Sequence, residues 1–162
     1  MNNKVKVAVI SLGCDKNRVD TENILYRLVS GGFALTDDMS QADVIIINTC
    51  AFIESAEKEA VDNIFAAARL KTEGKVKRLI VAGCLPMRYG ASLADLLPEV
   101  DAIVGMNDYS AICDIVSDAG RRIELNGSDA PTEKRILSTP PHYAYLKIAE
   151  GCDNHCTYCT IP

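Results

Sequence analysis

Two hydrophobic rhythms take turns along this chain. Short runs of aliphatic and β-branched residues alternate with longer stretches in which apolar residues recur every three or four positions. KVKVAVIS (4–11) is the first run and predicts a buried strand. From Asn17 to Gly31, Ile24, Leu25, Leu28 and Val29 fall at helical spacing, and the Gly31-Gly32 pair predicts the stop. FALTD (33–37) predicts a short strand. DVIIINTC (43–50) predicts a strand that is apolar on both faces, as a sheet covered on both sides requires.

Residues 54–72 predict a long helix. Ala56, Ala60, Val61, Ile64, Phe65 and Ala68 form one stripe, and Glu54 with Lys58 makes a favourable i,i+4 pair. KRLIVAGC (77–84) is a further buried strand, followed by a short helix from Pro86 with Leu93, Leu96 and Leu97. DAIVG (101–105) is another strand. Asn107 or Asp108 is placed to cap a last helix bearing Ile112, Ile115 and Val116, which Gly120 ends. The alternation predicts an α/β fold: a parallel sheet with helices on both faces, a flavodoxin- or Rossmann-like three-layer arrangement.

After Gly120 the rhythm breaks. RRIELNGSDAPTEKRILSTPPH (121–142) is polar and rich in Pro, Gly and Ser, and predicts a linker with room for a short strand at Arg122 to Leu125. HYAYLKIAEGC (142–152) returns to strand spacing and runs into the last cysteines. The expected organisation is therefore an α/β domain over 1–120, a linker over 121–142, and the first strand of a second domain over 143–162.

Composition adds limits. A hydrophobic content of 48% is ample for a core, and no run of 18 apolar residues exists to span a membrane. The apolar stretch near the N-terminus suits a buried strand better than a secretion signal, so a cytoplasmic protein is expected. The net charge of −5 argues against this part of the chain being the main nucleic-acid surface. Seven cysteines cannot all pair internally; in a reducing compartment they suit metal or redox ligation better than disulfides.

Three segments share one grammar. VAVISLGC, VIIINTC and RLIVAGC are each a buried strand running into a cysteine: Cys14, Cys50 and Cys84. The carboxyl ends of parallel strands share one edge, where ligands bind, so three thiols on three such loops can converge. Ordinary buried cysteines explain one such position, but three at equivalent strand ends favour a site. Gly13 and Gly83 would let backbone come close to a bulky cluster. Three thiolates with an open fourth position suit a 4Fe–4S cluster with one free iron, or zinc.

The terminal GCDNHCTYC carries Cys152, Cys156 and Cys159 as C-x3-C-x2-C, again three thiolates. His155 can in principle complete a zinc site, but zinc more usually draws on two separate pairs, which favours a four-iron cluster here.

This motif just after a strand, with Tyr158 before the last cysteine, resembles the radical S-adenosylmethionine superfamily. With an upstream α/β domain bearing three spaced cysteines, the chain resembles the N-terminal half of the radical S-adenosylmethionine methylthiotransferases, from Lys4 to Pro162. SLGCDKNRVDTE (11–22), GCLPMRYG (83–90) and VGMNDY (104–109) look like the branch that modifies an aspartate of ribosomal protein S-twelve. The tRNA-modifying branch is the alternative, and it tends to carry Gln-Met-Asn where this chain has Asp15-Lys16-Asn17.

The resemblance implies two 4Fe–4S clusters, an auxiliary one on Cys14, Cys50 and Cys84 and one on Cys152, Cys156 and Cys159 whose fourth iron binds S-adenosylmethionine. It implies a radical that removes a β-hydrogen from the substrate aspartate, transfer of a methylthio group to that carbon, and an electron donor such as flavodoxin or ferredoxin. It also makes Tyr158 a cofactor-contact candidate, with loop packing an equal alternative. A barrel that encloses the cofactor needs roughly 200 residues or more, so this chain by itself is expected to be inactive. Any nucleic-acid contact would fall to domains outside it.

Other polar residues read more plainly. Cys113, beside Ile112 on the last helix, reads as an unligated thiol, and His142 as a solvated linker residue. Asn17, Asp20 and Glu22 read as capping and surface residues of the first helix, with contacts to a cluster as the alternative. Asn48-Thr49 suits either a turn or hydrogen bonds to cluster sulfurs. A non-catalytic iron–sulfur or zinc module and a flavin-binding flavodoxin-like domain remain the competing functions, the latter without a clear phosphate loop.

Overall fold

A computed structural model gives the fold, with residues 4–128 and 134–159 described. The two uninterrupted apolar runs become its central strands. β3 (Val44–Thr49) and β4 (Arg78–Gly83) are buried at every position. Around them lie β1 (Lys6–Ser11), β2 (Ala34–Thr36), β5 (Ala102–Val104) and β6 (Arg122–Glu124). The order across the sheet is β2-β1-β3-β4-β5-β6, and all neighbouring pairs are parallel. Ile10, Ile47, Val81 and Ile103 stand in one register row across four strands.

Alternation along each strand divides the apolar side chains between two layers. Ile45, Ile47, Leu79, Val81 and Ile103 meet α2 (Glu54–Thr72), α3 (Cys84–Tyr89) and α4 (Ser92–Leu96). Val7, Val44, Ile46, Ile80 and Val104 meet α1 (Asp15–Ser30) and α5 (Ile112–Ser117). The expected three-layer α/β fold is therefore present.

The steps β1→β2 and β3→β4 run in opposite directions along the sheet, so right-handed crossovers require α1 and α2 on opposite faces, as observed. The β5–α5–β6 connection steps the same way as β3–α2–β4 but leaves α5 on the α1 face, which gives it the uncommon hand.

Several elements depart from the periodicity. α1 starts at Asp15 rather than Asn17. On α2 the buried residues are Ala60, Ile64, Ala67 and Ala68, while Phe65 is 45% exposed. Small alanines let α2 lie close on the sheet, which rotates the bulky ring outward. The helix expected from Pro86 is two short helices, the first beginning at Cys84, and Gly90 between them has φ 59°. The last helix opens as a 3-10 turn, Tyr109–Ala111, without a side-chain cap from Asp108. The polar segment after Gly120 supplies β6, the edge strand.

Residues 143–149 carry no sheet pairing, contrary to the strand expected there. They keep its alternation: Tyr145 and Lys147 are half-buried, whereas Leu146 and Ile148 are 81% and 89% exposed. A strand needs a neighbour's hydrogen bonds, and this segment instead lies along α1 through side chains of both. Among the described residues no helix is long and apolar enough to cross a membrane.

Candidate functional site

β1, β3 and β4 are adjacent, so their carboxyl ends form one stretch of sheet edge. Cys50 follows β3 directly, Cys84 follows β4 as the first residue of α3, and Cys14 precedes α1 three residues beyond β1. The chain reversal after β1 lies where α1 turns back toward β2 and the sheet continues through β3 on its other side. That is the switch point at which open α/β sheets bind ligands.

The three loops are packed against each other. Gly13 has φ 92°, and a Cβ there would lie 2.3 Å from Cys50 Cβ and 2.9 Å from its Sγ. Gly83 has φ 94°, and its Cβ would meet Asn48 Oδ1 at 2.3 Å and the Thr49 carbonyl at 2.6 Å. Both glycines are therefore required by neighbouring protein atoms: the space they leave is already filled by Cys50 at Gly13 and by the end of β3 at Gly83.

One side chain ties the three loops together. Asn17 is 1% exposed. Its Nδ2 donates to the Leu12 carbonyl at 2.9 Å and the Thr49 carbonyl at 2.7 Å, and its Oδ1 accepts from Cys84 Sγ at 3.5 Å. Asn48 Nδ2 donates in turn to the Asn17 carbonyl at 2.9 Å and Thr21 Oγ1 at 3.0 Å. Thr49 Oγ1 donates to the Ala82 carbonyl at 2.6 Å. Arg88 on α3 donates to the Ala51 carbonyl at 2.6 Å and pairs with Glu57 at 2.6 Å, bracing the loop after Cys50. Asn17 and the Asn48-Thr49 pair are thus buried struts, neither surface caps nor turn formers.

Cys14 is exposed, Cys50 buried and Cys84 half-buried. Burial raises the Cys84 pKa to about 11, and the charges of Cys50 and Cys14, when ionised, add to the effect. The three thiols thus share one electrostatic neighbourhood. Among the described residues, however, no three His, Cys, Asp or Glu side chains are gathered as a metal ion would need. The donor set, three soft thiols on adjacent strand ends with a shared amide strut, fits an iron–sulfur cluster or zinc in its chemistry. Loading would require Cys84 to lose a proton and the sulfurs to draw together.

The second motif is open. Cys152 and Cys156 are exposed and Cys159 is half-buried. The Asn154 N–H donates to Cys152 Sγ at 3.5 Å, and the Cys159 N–H to the Cys156 carbonyl at 3.1 Å. Tyr158 is 88% exposed, so loop packing does not hold it, and His155 is exposed as well. Cys113 lies elsewhere, its Sγ donating to the Arg27 carbonyl at 3.3 Å, and His142 is exposed beside Tyr143.

Two residues absent from the sequence reading stand close to this edge. Lys147 is paired with Asp20 Oδ1 at 2.5 Å, and both charges reach Cys84. Tyr109 is 5% exposed, and among the described residues its hydroxyl has no hydrogen-bond partner. Burial, then the charges of Asp20 and Cys84, hold its pKa well above the usual tyrosine value, so it stays neutral.

Residues 6–105 match the family described as "Uncharacterized protein family UPF0004". The chain is 48% identical over 164 residues to a protein of Symbiobacterium thermophilum named "Ribosomal protein uS12 methylthiotransferase RimO", covering 98% of this chain and 34% of that protein. Proteins of the same name from Clostridium tetani and Clostridium kluyveri are 47% and 49% identical, again over 98% of this chain and 37% of each relative. The chain spans about a third of the length of these curated relatives.

Proposed function

Because this chain belongs to the UPF0004 family, we propose that it is the N-terminal part of a radical S-adenosylmethionine methylthiotransferase acting on an aspartate of ribosomal protein uS12. The observation that supports this best is the set of three cysteines at adjacent strand ends, Cys14, Cys50 and Cys84, in a chain so similar to enzymes of that name.

Cys14, Cys50 and Cys84 would hold an auxiliary 4Fe–4S cluster, and Cys152, Cys156 and Cys159 a second one that binds S-adenosylmethionine, with Tyr158 beside that cofactor. Such clusters supply soft sulfur and one-electron chemistry, which an unactivated C–H bond requires and acid–base or nucleophilic side chains do not offer. The chain's own contribution is positional. Asn17 fixes the spacing of the three loops, and the half-buried Cys84 thiol would have to give up its proton for a metal to bind. An electron donor of the flavodoxin or ferredoxin type and a cytoplasmic location go with this reading. The chain alone is proposed to be inactive, so 5′-deoxyadenosine formed by the isolated chain with reductant would overturn that part.

The test is iron and acid-labile sulfide per chain after anaerobic reconstitution, in the parent and in a Cys14→Ala, Cys50→Ala, Cys84→Ala variant. About four irons in the parent, lost in the variant, is the expected result. Iron that survives the variant would move the cluster to the terminal motif, and zinc in its place would turn the reading toward a binding module. Substrate choice is tested on the full-length protein, offered the ribosomal protein and tRNA in parallel.

A further inference from the structure

Between the sheet and the second cysteine motif, the chain follows a route fixed by buried charge. Glu22 on α1 is 2% exposed. Its Oε1 accepts from Ser138 N at 2.7 Å and Ser138 Oγ at 2.9 Å, its Oε2 pairs with Arg135 at 3.5 Å, and its backbone carbonyl accepts from Ile136 N at 3.1 Å. Arg135 also donates to the Tyr145 carbonyl at 2.5 Å, closing a loop within the segment. One helical turn before Glu22 along α1, Arg18 lies over the Tyr145 ring at 5.9 Å. Then comes Lys147, whose side chain is 10% exposed and pairs with Asp20, 5% exposed, and also with Glu150. Glu150 stands two residues before Cys152.

The segment covers Glu22 and Asp20 on α1 and brings its own Lys147 to 10% exposure against them. A buried ion pair carries a large desolvation cost, and removing one partner leaves the other charge uncompensated. Asp20 has one oxygen on Lys147 and the other buried, without a hydrogen-bond partner among the described residues, so it depends on that single ammonium. A surface tether would use exposed pairs, which contribute little.

We propose that Arg135–Glu150 is a built strap, and that the buried Asp20–Lys147 pair fixes where the second cysteine motif leaves the sheet domain. Lys147 and Asp20 are then positioning residues that hold GCDNHCTYC at the sheet edge bearing Cys14, Cys50 and Cys84. The functional meaning rests on the two-site reading above; the docking itself does not.

The test is limited chymotryptic digestion of the full chain, comparing the parent with Lys147→Gln, Lys147→Arg and the Asp20→Asn/Lys147→Gln double variant. Lys147→Gln should speed cleavage after Tyr143, Tyr145 and Leu146 by at least about tenfold while Leu79 in β4 stays protected. Lys147→Arg should recover most of the resistance, because the charge is kept. Adding Asp20→Asn to Lys147→Gln should bring no further loss, since the pair acts as a unit. Unchanged cleavage over 143–146 in Lys147→Gln, an equal loss in Lys147→Arg, or cleavage that rises equally within the sheet would each overturn the strap. Digestion needs no metal, so a chain that binds no iron yet gives the expected pattern would fail the cluster reading and retain this one.

Discussion

At the scale of single residues, the site depends on side chains with no room to vary. Asn17 uses its amide on three loops at once, and its two donated hydrogen bonds fix which way the amide faces. Asn17→Ala should lower stability by about 2–4 kcal/mol, read from urea unfolding, because it orphans buried carbonyls of Leu12 and Thr49. Iron uptake should fall with it. Glycine substitution provides a second check. Gly83 and Gly74 both have positive φ, but a Cβ at Gly74 meets nothing within 4 Å, whereas at Gly83 it collides with Asn48 and Thr49. Gly74→Ala should cost about 1 kcal/mol and Gly83→Ala at least about 3 kcal/mol, as backbone strain and overpacking add.

At the scale of elements, α2 shows how packing overrides a periodic stripe. Phe65 belongs to the apolar series by spacing, yet the sheet takes Ile64 and the alanines. Ile64→Ala should cost about 2–5 kcal/mol, while Phe65→Ser, at a ring only half covered, should cost about 1 kcal/mol, measured by the same unfolding curves. β6 teaches the converse. RIE is short and polar by composition, and it becomes a strand because β5 offers it an open edge to pair with.

At the scale of the whole molecule, the strap links acidity to folding. Burial raises the Asp20 pKa to about 6 from 3.8, against the hydrogen bond and charge of Lys147. The native state therefore binds more protons than the unfolded chain between about pH 4 and 6, so this group's contribution to stability falls as pH rises through that window and is level above it. Asp43 acts in the opposite sense: the Lys6 backbone N–H and the Lys77 side chain hold its pKa down, so its contribution is lost on acidification. The difference between parent and Asp20→Asn isolates the first effect. Relative to the variant, the parent should lose about 1–3 kcal/mol between pH 4 and 6.5, measured by urea unfolding across that range.

The sequence by itself determined the layers, the central strands and the placement of Cys14, Cys50 and Cys84. Those features are local: an uninterrupted apolar run means a strand buried on both faces, and parallel strands share one carboxyl edge whatever their separation along the chain. Only the tertiary structure decided which side chains hold that edge. Asn17 meets Thr49 across 32 positions, and Lys147 meets Asp20 across 127. No periodicity reports contacts at such distances. A buried amide or ammonium is written in the same letters as a solvated one, and the difference lies in which groups folding brings near enough to replace water.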